Sequence, residues 1–454
     1  MVIAIALAII SIELVKSYGL RKVFNFRREL KKIRKQEKKA KQDVVLPPFG
    51  TLIGYSGRKP ILVPDNAKHV FICGTTGSGK TVALSNFIQN AIDNNFPALV
   101  IDGKGDTGNG SILDIINRLN THKKKKVYVI NLSQPEQSDK YNPFKGASAT
   151  MAKDMLINMT DWSEEHYKLN AEYYIQRILQ MFELVNAPLS FKKIIKCIPP
   201  DKFTEISARL LKRELISKEE HLENVTIAKT SGRTVHNSTA RFSTIADSEI
   251  GKYIFSEDGI DIVQAFKENA IILFVLNPLV YPELSPAFGR LVLIDAKKAV
   301  GELYKSKIPE TFFIMDEINA YATTGLTDLV NKSRSAGVTC VLSTQSLSDL
   351  DFACGDAYKE QIIENCNNYL VMRQNSGVNA EHWANIIGTR QTIEVTHQLQ
   401  QRGLDTSVTG FGSARRVREF LYHPDEIKTL KTGDGIFLSR DTNQQGKIKV
   451  NKPF

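Results

Sequence analysis

The chain holds two short stretches whose side chains could act together on a phosphate. The first, GTTGSGKT at 74–81, follows the pattern G-x-x-x-x-G-K-T. Gly74, Gly77 and Gly79 let the backbone N–H groups of a tight loop turn inward, with Thr75, Thr76 and Ser78 between them. Lys80 can reach the β- and γ-phosphates, and Thr81 can offer its hydroxyl to magnesium. An apolar run, HVFIC (69–73), precedes the loop, and a helical pattern follows it. A helix starting there aims its N-terminus at an anion. A Gly-rich structural turn is the bland alternative, but it gives no reason for Lys80-Thr81.

The second stretch is TFFIMDEINA (311–320), where a buried-strand pattern ends on two acids. In nucleotide hydrolases of the phosphate-loop type, a second strand supplies an acid for magnesium. Asp316 fits that role, and Glu317 is then the candidate base for the attacking water. Two acids capping a strand-to-helix turn would look the same in isolation. A third strand pattern, VTCVLS (338–343), runs into Thr344-Gln345. The Gln345 amide can sense a γ-phosphate and position water. Arg334, just before that strand, is either a surface arginine or a residue reaching a neighbouring subunit's nucleotide. IDGKGD (101–106) places Asp102, Lys104 and Asp106 after another strand, at the end of the sheet where open α/β folds bind ligands.

These residues need a sheet to bring them together. The runs HVFIC, PALVID (97–102), KVYVINL (126–132), AIILFVL (270–276), TFFIM (311–315), VTCVLS, NYLVMR (368–373) and GIFLS (435–439) are continuously apolar. Such runs suit strands buried on both faces. Helical patterns separate several of them, which predicts an α/β fold with a mainly parallel sheet. Residues 150–250 break the rhythm. Ile175, Ile178, Leu179 and Phe182 follow helical spacing, and KFTEISARLLKREL continues in kind. The expectation is an inserted all-α domain at 150–250, with 49–149 and 251–454 forming the nucleotide-binding domain.

At 454 residues the chain is long enough for two or three domains. Its net charge of +11 suggests a nucleic-acid surface until its distribution is read. Residues 21–41 hold eleven Lys/Arg and two Glu, a net +9, so the other 433 residues total only +2. The basicity is a local tract at 21–48 that ends in a Pro-Pro linker. Before it, residues 1–20 open with an apolar run that is marginal for a bilayer span. Lys/Arg after such a segment marks a cytoplasmic flank, so 1–20 is expected to be a membrane anchor. An amphipathic helix packed on the body is the alternative. The five cysteines form no CxxC pair, so reduced thiols are expected, without a disulfide framework or a zinc site.

Taken in order, the motifs resemble the type IV coupling proteins, the TraD/TraG-type ATPases of conjugation and type IV secretion. The resemblance lies in HVFICGTTGSGKT, IDGKGD, NLSQPEQSDKYNPF, FFIMDE, SRSAGVTCVLSTQS, ENCNNYLVMR and HPDEIKTLKTGDGIFLSR. It covers roughly 65–454, with little matching in 150–250. It implies a RecA/FtsK-like P-loop motor domain with an inserted all-α domain, using ATP and Mg2+ in a homo-hexameric ring. It also implies an inner or cytoplasmic membrane location with the body facing the cytoplasm. The family's partners are single-stranded DNA, a relaxase or other secretion substrate, and components of the type IV secretion channel. Two departures stand out: one weak apolar segment where many relatives have two spanning helices, and no long acidic C-terminal tail. A nucleotide-gated receptor that barely hydrolyses, or another FtsK/HerA-like motor, are the alternative readings. No aromatic-basic interleaving marks a stacking platform for single strands.

Overall fold

The structure, a computed structural model, describes residues 49–65, 69–305, 310–402 and 405–454. The expected N-terminal anchor and the basic tract lie outside the described residues. Among those described, no helix is long and apolar enough to cross a membrane.

The strands are β1 (Gly50–Ser56), β2 (Lys59–Pro64), β3 (Val70–Cys73), β4 (Ala98–Asp102), β5 (Val127–Asn131), β6 (Ile271–Val275), β7 (Thr311–Asp316), β8 (Val338–Thr344), β9 (Asn368–Val371), β10 (Thr389–Arg402), β11 (Asp405–Phe420), β12 (Asp434–Ser439) and β13 (Gln445–Val450). Eleven of them form one sheet, in the order β2-β1-β13-β12-β9-β3-β8-β7-β4-β6-β5. From β9 to β5 every neighbouring pair is parallel. The other edge, β12 to β2, is antiparallel. This is the α/β fold with a mainly parallel sheet that the apolar runs predict.

Those runs are continuous because both faces of the sheet are covered. Alternate residues of β3 and β4 serve two separate cores. Val70, Ile72, Ala98 and Val100 pack with Leu84, Phe87 and Ile88 of the helix Lys80–Asp93. Phe71, Cys73, Leu99 and Ile101 face the opposite way, into the larger core. Full burial of each Val, Leu, Ile or Phe side chain contributes about 1.5–3 kcal/mol.

Between β5 and β6 the described residues contain no named strand. Helices run from Ala149 to Lys267, and their apolar residues, Tyr174, Ile175, Ile178 and Leu179 among them, belong to the same core as Phe313 and Met315 of β7. A buried polar knot ties this layer to the helix Leu284–Leu303. Lys298 Nζ lies 2.9 Å from both Asp261 Oδ2 and Asp295 Oδ1. It also donates to the carbonyls of Pro143 and Lys145, each at 2.9 Å. Tyr141 donates its hydroxyl to Asp295 Oδ2 at 2.8 Å. The KYNPF stretch is thus pinned to the helix Leu284–Leu303 by buried, paired charges.

Five strands escape the apolar-run reading: β1, β2, β13 and the pair β10–β11, which forms its own antiparallel ribbon. β13 (QGKIKV) alternates buried and exposed positions over most of its length, as an antiparallel strand with one wet face does.

Candidate phosphate-loop and acid-pair site

Strand order decides which loops meet. β3, β8, β7 and β4 lie side by side and run parallel, so their carboxyl ends share one edge. The register aligns Cys73 with Thr344 and Asp102 with Asp316. The phosphate loop, Gln345, the acid pair and the IDGKGD turn therefore emerge next to one another.

The phosphate loop closes around its own lysine. Lys80 is buried, and its Nζ donates to the Gly74 carbonyl at 2.6 Å. Gly79 stands at the helix N-cap with φ of 110°, and Gly77 has φ of 74°. Both lie in the left-handed region, where a side chain is strained. The helix Lys80–Asp93 has no side-chain cap and no acid in its first turn. Its leading N–H groups and positive dipole end are thus left for an anion. A C-terminal loop braces the phosphate loop from outside: Gly433 N donates to Ser78 O at 2.8 Å, and Thr432 Oγ1 donates to Gly77 O at 3.0 Å. Thr75 N donates to Arg373 O at 2.9 Å. Thr81 follows Lys80 in the first helical turn and is half-buried.

The acid pair is buried and faces two cations. Lys80 Nζ lies 3.4 Å from Glu317 Oε1. Lys104 Nζ lies 3.0 Å from Asp316 Oδ2 and 3.4 Å from Glu317 Oε1. Ser343 Oγ donates to Asp316 Oδ1 at 2.8 Å, and Tyr321 donates its hydroxyl to the Asp316 carbonyl at 3.1 Å. Glu317 is held in the left-handed region, φ 49° and ψ 55°, a conformation that costs a non-glycine residue about 1 kcal/mol or more. Its two carboxylate oxygens are buried and accept no hydrogen bond of ordinary geometry; the Gln345 amide adds only a weaker attraction. Burial, and then the charge of Asp316, raise the Glu317 pKa above the usual carboxylate value, against the pull of Lys80 and Lys104. Burial and Asp316 also push Asp102 up to about 7. For Lys104, burial works against the charge, but Asp316 and Glu317 outweigh it, and its pKa is raised.

Gln345 is half-buried beside the loop and accepts from Thr76 Oγ1 at 3.0 Å on Oε1. Lys80, Thr76, Gln345, Asp316 and Glu317 are thus brought together. Arg334 is not. It is exposed and precedes β8, whereas the phosphate loop follows β3, which runs parallel to β8. The seven residues of β8, at about 3.3 Å each, put Arg334 roughly 20 Å away at the opposite edge. It cannot reach the site of its own chain.

Ser343 is the residue that the sequence reading passes over. The signal was present: it is a hydroxyl ending the apolar run VTCVLS, and a polar residue at a buried strand position needs a partner.

The site can hold magnesium in the manner of a phosphate-loop enzyme. Such ions take one or two carboxylates and complete their shell with water and substrate phosphate. Asp316, buried with one oxygen fixed by Ser343 and the other paired with the partly exposed Lys104, suits that role.

Comparison with known proteins agrees with this arrangement. The family described as "Type IV secretion-system coupling protein DNA-binding domain" matches residues 145–451, and the FtsK/SpoIIIE family matches residues 32–125. The chain is similar in fold to the conjugative coupling protein TrwB lacking its first 70 residues, with a TM-score of 0.63 at 14% identity over 92% of each chain. It is likewise similar to plasmid coupling protein TrwB in complex with ADP and Mg2+, with a TM-score of 0.60 at 15% identity, again over 92% of each chain. VirB4 of Thermoanaerobacter pseudethanolicus gives a TM-score of 0.53 at 12% identity, covering 90% of this chain and 98% of that one. An uncharacterized protein of Mycoplasma pneumoniae is 30% identical over 100 residues, which is 22% of this chain and 67% of that protein. The shared fold is the RecA/FtsK-like P-loop motor.

Proposed function

The chain belongs to the type IV secretion-system coupling protein family, and on that premise we propose that it is an ATP-hydrolysing motor. In this reading it delivers relaxase-bound single-stranded DNA to a type IV secretion channel. It works as a homo-hexamer at the inner or cytoplasmic membrane, held by the apolar segment at 1–20 with its body in the cytoplasm. Residues 150–250 form an all-α domain inserted into the motor domain of 49–149 and 251–454.

The observation that carries the reading is the 3.4 Å approach of Lys80 to Glu317. It brings the phosphate-binding lysine and a buried carboxylate of raised pKa into one site, where phosphate and the candidate base can meet. The loop Gly74–Gly79 wraps the phosphates, with the backbone N–H groups of Thr76, Gly77 and Gly79 turned to them, while those of Gly74 and Thr75 stay bonded to Thr344 O and Arg373 O. Lys80 gives up Gly74 O and Glu317 for the β- and γ-phosphate oxygens, which frees Glu317. The Glu317 carboxylate then accepts a proton from the attacking water. Gln345, already tethered to Thr76, orients that water from the β8 side. Asp316 and Thr81 would hold Mg2+, which would supply charge neutralisation at the phosphates. Arg334, remote from its own site, serves the nucleotide of the neighbouring subunit.

The test is ATP turnover by the full chain with and without single-stranded DNA. Turnover stimulated by DNA and lost in Glu317→Gln is expected. A chain that binds ATP tightly and turns it over no faster than Glu317→Gln would instead be the nucleotide-gated receptor.

A further inference from the structure

Lys104 has no part in the mechanism above, yet it makes the shortest charged contact to Asp316. The contact follows from a charge problem. Asp102 and Asp316 are register partners at the ends of β4 and β7, and Glu317 follows directly. Asp102, Asp316 and Glu317 are all buried. Three carboxylates at one sheet edge, out of water, need positive charge nearby. Lys80 faces only Glu317 and is otherwise engaged with the loop carbonyl of Gly74. Among the described residues Lys104 alone spans the pair, with Nζ 3.0 Å from Asp316 Oδ2 and 3.4 Å from Glu317 Oε1.

The backbone around Lys104 is clamped on both sides. A Cβ on Gly103 would stand 2.8 Å from the Asp316 carbonyl oxygen and 3.0 Å from that of Glu317. A Cβ on Gly105 would stand 2.0 Å from Leu276 O, and Gly105 itself has φ of 75°. The turn is wedged between the ends of β7 and β6 and has no room to shift inward. The side chain differs: it is 35% exposed, whereas that of Lys80 is 3% exposed. A lysine has a long flexible stem and a strongly hydrated head, so this one can swing to solvent while its backbone stays fixed.

We propose that Lys104 is a built-in counter-cation: without a bound divalent cation its ammonium neutralises Asp316 and Glu317, and it swings out as that cation enters to be held by Asp316. The inference rests on the reading of Asp316 as a magnesium ligand. Lys104 is a positioning residue here. It keeps the acids in place when no cation is bound and makes Mg2+ binding depend on the nucleotide arriving with it, because Mg2+ alone must displace an ammonium already paired with both acids.

The test uses the full chain without nucleotide. Thermal unfolding is followed against MgCl2, with NaCl at matched ionic strength as the control. The wild type is expected to show little response to Mg2+ alone. Lys104→Met is expected to melt at lower temperature, and Mg2+ should restore it with a midpoint at least tenfold lower than any wild-type response. Lys104→Arg, which keeps the charge, should behave as the wild type. If Lys104→Met fails to fold, Asp102→Asn with Lys104→Met removes one of the three acids and is read in the same way. The proposal is overturned if Lys104→Met loses stability that Mg2+ does not restore, if its Mg2+ response equals that of the wild type, or if the double variant also fails to fold. The hydrolase reading fails separately, through absent ATP turnover in the wild type, so the two failures are distinguishable.

Discussion

Lys80 and Glu317 stand 3.4 Å apart, Nζ to Oε1, both side chains almost wholly buried. They are far apart in the chain and belong to different strands' loops, so the contact exists only because β8 and β7 lie beside β3 in the sheet. It turns two separate motifs into one site, and the site's behaviour can be predicted from its parts.

Gln345 should matter by about one hydrogen bond. It is held by Thr76 at 3.0 Å on the phosphate-loop side of β8. Gln345→Ala should lower ATP turnover about tenfold, equivalent to about 1.4 kcal/mol, with nucleotide affinity nearly unchanged. Steady-state kinetics beside a nucleotide-binding titration check this. Equal losses in both would mean that Gln345 holds the loop and does not act on water.

Arg334 should act only between chains. Its position at the opposite edge of the sheet predicts that Arg334→Ala binds nucleotide as the wild type does but turns it over far more slowly. Mixing Arg334→Ala with Glu317→Gln should recover activity, because some interfaces then pair an intact base with an intact arginine. No recovery on mixing, with both variants assembled, contradicts a role across the interface.

The Lys298 knot should be costly to break. Lys298→Met leaves Asp261 and Asp295 buried together without their cation. Removing one partner of a buried ion pair destabilises by about 3–5 kcal/mol. Denaturant unfolding should show a loss of that size. A loss below about 1 kcal/mol would mean that water reaches the site.

His69 should set an acid limit to stability. It is buried at the amino end of β3, with Nδ1 accepting from Cys340 N at 3.1 Å. Burial lowers its pKa from 6.5 to about 4; the Val330 backbone opposes this and the positive field of Arg334 adds to it. The unfolded chain therefore takes up a proton at this residue below about pH 6.5, and the folded one only near pH 4. The unfolded state binds more protons in that window, so stability falls as pH drops from 6.5 towards 4. The contribution is on the order of 3 kcal/mol. His69→Gln should flatten this limb of the stability profile, and an unchanged slope contradicts the assignment.

Much of the central sheet was legible in the sequence because its strands are covered on both faces. Runs such as HVFIC and TFFIM are then continuously apolar and end where chemistry begins. β1, β2 and β13 were not legible in that way, because these antiparallel strands carry only short apolar stretches broken by Gly, Pro or polar residues. The ribbon β10–β11 (389–402 and 405–420) is polar for most of its length and pairs with itself, so no apolar run marks it. The candidate site was read as types and order: Lys80, Thr81, Asp316, Glu317 and Gln345. What could not be read was the electrostatic partnership. That Lys104 bridges Asp316 and Glu317, and that Ser343 fixes Asp316, depends on strand order and register, which no local pattern encodes.

The most direct test of the central claim is Glu317→Gln in the full chain, with ATP binding and ATP turnover measured on the same preparation. The substitution removes the carboxylate that faces Lys80 and keeps its shape. Binding within a few-fold of the wild type, with turnover lower by about 10²-fold or more, is the predicted result. Turnover that survives the substitution would contradict the account, because Glu317 could not then be the base.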